Sequence, residues 1–161
     1  MVLGIDPGYG RTGYAAVSFD GSRYTMHRSG LIETDPRHSF AERLALLYDR
    51  CVAAAEGIKP ASAAVERLFF SVNVKTAIDV AQARGVILLA LAQAKIPVFE
   101  YTPSEVKSSV TGSGRAGKAA VMKMLTIMMP DFAPGQDDIA DAAAVAVTHA
   151  HRQYMNERMK R

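Results

Sequence analysis

Four carboxylates carry the strongest chemical signal in this chain. Asp6 closes the short apolar run from Val2 to Ile5 and is followed by Pro7-Gly8, which end any strand there. Glu66 closes a second apolar run that begins at Ala63, and Asp138 and Asp141 stand three apart just before Ala142–Val147, a stretch that is small or apolar all round. Burying an unpaired ionised carboxylate is so costly that such groups are given a counter-charge, either a basic side chain or a metal ion. Taken singly, each acid has a plainer reading. Asp6 is a suitable turn residue before Pro-Gly, and Asp137, Asp138 and Asp141 suit the first turn of a helix, where the macrodipole favours negative charge. The i, i+3 spacing, however, puts Asp138 and Asp141 on one helix face, and the residues after them make that helix a buried one. A buried acid pair needs cations. Oxygen ligands without His or Cys partners suit Mg²⁺ or Mn²⁺ rather than zinc, and two such ions serve in-line displacement at phosphorus.

The elements that must position these acids can be read in order. The run from Val2 supplies a buried strand that delivers Asp6 and is broken at once by Pro7-Gly8; Thr12–Phe19 and Arg23–Glu33 are rich in β-formers, with Asp20-Gly21 between them as a two-residue hairpin signal. Ser39-Phe40-Ala41-Glu42 has the form of a capping box, and Phe40, Leu44, Leu47, Cys51 and Ala54 recur at helical spacing until Gly57 and Pro60. Ala63–Phe70 reads as a strand, Val74 to Ala94 as a second helix, and Ile96–Tyr101 as a short strand. Thr102-Pro103-Ser104-Glu105 is another capping box with Pro at the first helical position, opening a helix that ends at Gly112. The glycine-rich, basic segment Gly112–Lys118 is expected to be a mobile loop leading into a Met-rich helix that stops at Pro130, and the last helix runs from near Gln136 to about Tyr154. Three antiparallel strands followed by alternating helices and strands describe a mixed α/β sheet flanked by helices.

Composition bounds the alternatives. A chain of 161 residues, 49% of them apolar, fits a single domain spanning 1–161 with a substantial core. No stretch approaches a membrane span or an export signal, so a cytoplasmic protein with no membrane partner is expected. The single cysteine, Cys51, excludes an internal disulfide and reads as an inert buried hydrophobe. A net charge of +3 leans toward a polyanionic partner only if the positive residues cluster. Lys107 and Lys118 read as ordinary solvated lysines when taken alone; with Arg115 in a glycine-rich loop, a phosphate-binding role becomes reasonable. Phe69 and Phe70 are neighbours on an expected strand, so either one is free to stack on a base or both pack against the second helix. His149 reads as a hydrogen-bonded interior residue, and Met122, Met124, Met128 and Met129 as core filling. Ala77, Ala81 and Gly85 form a small-residue stripe for close helix approach, either inside the fold or across a twofold axis.

Taken in order, several motifs carry a resemblance. These are Gly4-Ile5-Asp6-Pro7-Gly8 with Thr12-Gly13-Tyr14, Glu66 with Phe69 and Asn73, and Gln82-Ala83-Arg84-Gly85. Phe99-Glu100-Tyr101 with Val106-Lys107 follows, then Gly112, Gly114 and Lys118, and finally Asp138–Ala142 with Thr148-His149. Together they resemble the RuvC family of bacterial Holliday junction resolvases over nearly the whole chain. The resemblance implies a ribonuclease-H-like fold and a homodimeric, magnesium- or manganese-dependent endonuclease with two ions per site. It implies symmetric nicking of opposing strands of a four-way DNA junction to 5′-phosphate and 3′-hydroxyl ends, in company with RuvA and RuvB. By the same resemblance Asp6, Glu66, Asp138 and Asp141 are catalytic acids and metal ligands. Lys107 and Lys118 are basic residues near the scissile phosphate, and Phe69 is the aromatic that stacks at the crossover. Departures are small: Ala15 stands where the family often has a second glycine, and Gly117 loosens the basic loop. Asp137 beside Asp138 leaves two candidates for one ligand, of which the i, i+3 spacing favours Asp138.

Two rival readings share the fold. A lobe of an actin-like or sugar-kinase ATPase would use Asp6-Pro7-Gly8 with Gly10 and Gly13 as a phosphate loop, but such proteins need two lobes. A YqgF-like nuclease acting on RNA shares the acids and lacks the Glu66–Asn73 and Gln82–Gly85 motifs.

Overall fold

The structure is a computed structural model and describes residues 1–67, 74–133, 135 and 137–160. The expectations placed on Phe69, Phe70, Asn73 and Gln136 lie outside the described residues. The chain forms β1 (Val2–Asp6), β2 (Arg11–Phe19), β3 (Tyr24–Glu33), α1 (Phe40–Ile58), β4 (Ser62–Glu66), α2 (Val74–Gln93), β5 (Val98–Tyr101), α3 (Pro103–Thr111), α4 (Lys118–Met128) and α5 (Asp137–Met159). The five strands make one sheet in the order β3-β2-β1-β4-β5. β1, β2 and β3 pair antiparallel, whereas β1 with β4 and β4 with β5 are parallel. This is the ribonuclease-H-like mixed sheet expected from the sequence.

Strand alternation divides the core in two. Leu3, Ile5, Ala63 and Val65 face one side and pack with Leu47 and Cys51 of α1 and with Ala83, Ile87 and Leu91 of α2. Val2 and Ala64 face the other side, under Val106 and Val110 of α3, Leu125 of α4 and the Ala142–Val147 stretch of α5. Burial pushes the Cys51 thiol up to about 12, which removes it as a nucleophile. Both expected capping boxes form, at Ser39 with Glu42 and at Thr102 with Glu105. Gly112 closes α3 in the left-handed region at φ 80°.

Four boundaries differ from the sequence reading. β4 ends at Glu66, where both of its neighbours also stop: β1 at Asp6, before Pro7, and β5 at Tyr101, before the Thr102 cap; Arg67 is outside the strand, and the rest of the expected run to Phe70 lies outside the described residues. β5 starts at Val98, after Pro97, which has no N–H to give a ladder. The β2–β3 connection spans the four residues 20–23, since Phe19 pairs with Tyr24 and the Asp20 carboxylate accepts from the backbone N–H groups of Ser22 and Arg23. α5 continues past Tyr154 to Met159 through residues that include no Pro or Gly. Within the Gly112–Lys118 segment Ser113 N–H donates to Thr111 Oγ1, and Ala116 N–H donates to the Ser113 carbonyl. Among the described residues, no helix is long and apolar enough to cross a membrane.

Candidate active site

The pleat decides where the first two acids point. Asp6 shares the parity of Val2 and Gly4 on β1, and Glu66 that of Ser62 and Ala64 on β4, so both carboxylates leave the sheet on the α5 side. The parallel register pairs Ile5 with Val65, which sets Asp6 and Glu66 side by side at the carboxyl ends of adjacent strands. Pro7-Gly8 turn the chain away, and Thr12 fastens the turn: its buried hydroxyl donates to the Gly8 carbonyl at 2.6 Å and accepts from the Gly8 N–H at 3.2 Å.

Two glycines bring the second pair of acids down onto the first. A Cβ on Gly13 would lie 2.0 Å from the Asp138 carbonyl oxygen, and one on Gly4 would lie 2.2 Å from the Ala142 carbonyl oxygen. Only glycine lets the first turns of α5 sit this close to β1 and β2. Ala142, Ala143 and Ala146, all essentially inaccessible, continue the close contact. Asp138 and Asp141 thereby reach the ends of β1 and β4.

The electrostatics confirm that the acids share one region. Burial first, then the charges of Glu66, Asp141 and Asp138, push Asp6 up to about 8. Glu66 is pushed up to about 7, by burial and then by Asp141. Positive charge answers only part of this. Lys118, the first residue of α4, holds Asp141 at 3.2 Å and Asp137 at 3.9 Å, and it opposes the upward shifts of both Asp6 and Glu66. Lys107 on α3 opposes the shift of Glu66. Asp137 contributes nothing resolved to the Asp6 shift, whereas Asp138 does, and the Asp137 side chain is 75% exposed; Asp138 is the one turned toward the cluster. Arg115 is exposed on the turn before α4.

A donor set of four carboxylates, two of them pushed well above their ordinary range by burial first and by neighbouring acids second, is chemically suited to divalent cations with a preference for oxygen. Among the described residues, no three acid or imidazole side chains are already gathered as a ligand set. Instead Lys118 occupies Asp141, and Arg11 holds Asp138 at 2.9 Å.

Sequence reasoning overlooked Arg11, which pairs with Asp138 and approaches Glu33 at 3.9 Å. It also gave no individual role to Arg84. That side chain joins α2 to the ends of β4 and β5: Nε donates to the Glu66 carbonyl at 3.3 Å, and the guanidinium pairs with Glu100. A cation within the otherwise apolar inward region of α2 was the available signal. His149 is an interior residue, as expected. It is 3% exposed, hydrogen-bonded to Ser62 Oγ and Tyr101 OH, stacked on Phe99, and its pKa is lowered by burial to about 4.

A five-stranded 3-2-1-4-5 sheet flanked by helices, with acids at the ends of β1 and β4 and at the start of α5, defines the ribonuclease-H-like class. Residues 2–149 match the family described as crossover junction endodeoxyribonuclease RuvC. The RuvC protein of Pelotomaculum thermopropionicum is 45% identical, over 99% of this chain and 98% of that protein. That of Brachyspira hyodysenteriae is 48% identical over 94% of each. Among solved structures, Thermus thermophilus RuvC in complex with a Holliday junction substrate superposes with a TM-score of 0.90 at 32% identity, covering 96% of this chain and 95% of the other. The chain belongs to the RuvC family.

Proposed function

We propose that this protein resolves Holliday junctions, hydrolysing one phosphodiester bond in each of two opposing strands and leaving 5′-phosphate and 3′-hydroxyl ends, in recombination and repair. The convergence of Asp6, Glu66, Asp138 and Asp141, in a chain of this family, carries the reading. Asp6, Glu66, Asp138 and Asp141 would hold two Mg²⁺ or Mn²⁺ ions, which supply a nucleophilic hydroxide near neutral pH and stabilise the departing oxygen. The residues of the chain do the rest. Asp6 and Glu66 are fixed on the sheet, so their separation is set by strand spacing. Asp138 and Asp141 ride on α5, whose position is set by Gly4 and Gly13. Lys118 and Lys107, both within electrostatic reach of the acids, would receive the scissile phosphate, and Arg115, exposed before α4, would hold the flanking backbone. Phe69 and Phe70 remain the aromatic candidates for stacking at the crossover.

We further propose a homodimer formed through α2. Ala83, Ile87, Ala90 and Leu91 turn inward, whereas Ile78 (55% exposed) and Leu89 (51% exposed) stand on the outward side with exposed Gly85, where an added Cβ would meet nothing. A twofold pairing there would present two equivalent sites to a substrate with two equivalent scissile bonds. Branch-migration partners of the RuvA and RuvB kind fit this role. The test is incubation with a synthetic four-way junction and Mg²⁺ or Mn²⁺, mapping both strands. Symmetric ligatable nicks on opposing strands are expected; unspecific duplex cutting, or cleavage of RNA alone, would refute the reading.

A further inference from the structure

We infer that Arg84 is a positioning residue for Glu66, clamping its peptide from the sheet face opposite the carboxylates. The inference rests on the proposed role of Glu66 as a metal ligand. Glu66 is the last residue of β4, level with Asp6, where β1 also ends, so the peptide after Glu66 has no β1 neighbour. A carboxylate at a strand end keeps its direction only if the peptide that follows it is held.

Three contacts hold it. The Arg67 N–H donates to the Tyr101 carbonyl at 2.7 Å, closing the last rung to β5. Arg84 Nε donates to the Glu66 carbonyl at 3.3 Å. Glu100 ties the two arginines together, pairing through one oxygen with Arg84 and lying 3.5 Å through the other from Arg67 Nε. Phe99 and Tyr101 contact His149 on the α5 side, so Glu100, between them, points to the α2 side, where Arg84 waits. The clamp therefore grips the backbone of Glu66 from below while its side chain faces the acid cluster above. An arginine fork suits this task, because its planar donors meet a carbonyl and a carboxylate in one fixed geometry, which a lysine point charge cannot do. Packing alone does not account for the residue: the side chain is 19% exposed, so a cation has been largely buried where an apolar residue would fill the space without a counter-charge.

Outer contacts that orient a metal ligand are commonly worth ~10–100-fold in metal affinity or activity. The test is Mn²⁺ titration of wild type, Arg84→Met and Arg84→Lys without DNA, reading free Mn²⁺ by electron paramagnetic resonance and the Mn²⁺-induced rise in Tm. Junction binding in Ca²⁺ and single-turnover cleavage are measured alongside. Arg84→Met is expected to weaken Mn²⁺ binding by at least ~10-fold and to slow cleavage, with junction affinity unchanged, and Arg84→Lys to recover part of the loss. If Arg84→Met does not fold, Glu100→Gln keeps the shape, loosens both arginines, and should weaken Mn²⁺ binding in the same direction. Wild-type Mn²⁺ affinity in whichever of these variants folds overturns the inference. A wild-type protein that neither binds Mn²⁺ nor cleaves would instead refute the metal-ligand reading itself.

Discussion

Replacing Asp6 by Asn should stabilise the metal-free protein at alkaline pH while abolishing cleavage. Asp6 is raised from its ordinary 3.8 to about 8 because ionising it puts a buried charge beside Glu66, Asp141 and Asp138. A folded-state pKa above the unfolded value means that the folded protein binds the extra proton, so this stability is fully present below about pH 4, diminishes as pH rises and is gone above about pH 8. At ~1.4 kcal/mol per pH unit the interval sets a ceiling of roughly 6 kcal/mol. The four acids share the repulsion, and protons or salt relieve part of it, so ~1–3 kcal/mol is the expected gain of Asp6→Asn at pH 8.5, or ~2–10 °C in Tm for a chain of this size. At pH 5 the wild-type carboxyl is protonated in the folded state and nearly isosteric with Asn, so the gap should narrow. Thermal unfolding in chelator at both pH values, then with Mg²⁺, checks this: Mg²⁺ should raise the Tm of the wild type and barely move that of Asp6→Asn. A variant less stable than wild type at pH 8.5, or one that Mg²⁺ stabilises equally, would refute the crowded-acid account.

Gly13→Ala should cost at least ~2 kcal/mol and suppress cleavage, since its methyl would drive into the Asp138 carbonyl. Gly117→Ala, where a Cβ meets nothing within 4 Å, is the control and should leave both nearly unchanged. Ala81→Arg should convert a dimer into a monomer by light scattering and uncouple the two nicks; a monomeric wild type at micromolar concentration would refute the α2 interface. Tyr101→Phe should lower stability by ~1–3 kcal/mol in denaturant unfolding, because the buried His149 Nδ1 loses its 2.7 Å partner.

Much of the sheet was legible because β1 and β5 carry their own stop signals. Pro7-Gly8 and the Thr102-Pro103 cap are local chemistry, and the acids they leave at strand ends stand out against apolar runs. The end of β4 at Glu66, ahead of Arg67, was not legible, because it depends on where β1 and β5 end, and strand pairing is a property of neighbours rather than of one segment's own β-propensity. The turn at 20–23 was misjudged for a related reason: Asp20-Gly21 fits a tight hairpin, but the Asp20 side chain captures two backbone N–H groups and widens it. Arg11 and Arg84 were invisible as partners because nothing in the spacing ties residue 11 to residue 138, or residue 84 to the carbonyl of residue 66. Only the folded register does so.

The same register explains why the site can be charged and still assemble. Asp6 and Glu66 are held by strands that would form whether or not their ends were ionised, with Leu3, Ile5, Ala63 and Val65 anchored on the opposite face. Asp138 and Asp141 are held by a helix whose small residues lock against Gly4 and Gly13. Repulsion among the four acids therefore works against two rigid bodies already joined by their apolar faces. It can be relieved by protonation, by Lys118 and Arg11, or by divalent ions, but not by moving apart without unseating α5. The packing of α5 thus preserves a concentration of negative charge that an open loop would disperse, and the proposed centre of oxygen ligands would depend on that concentration.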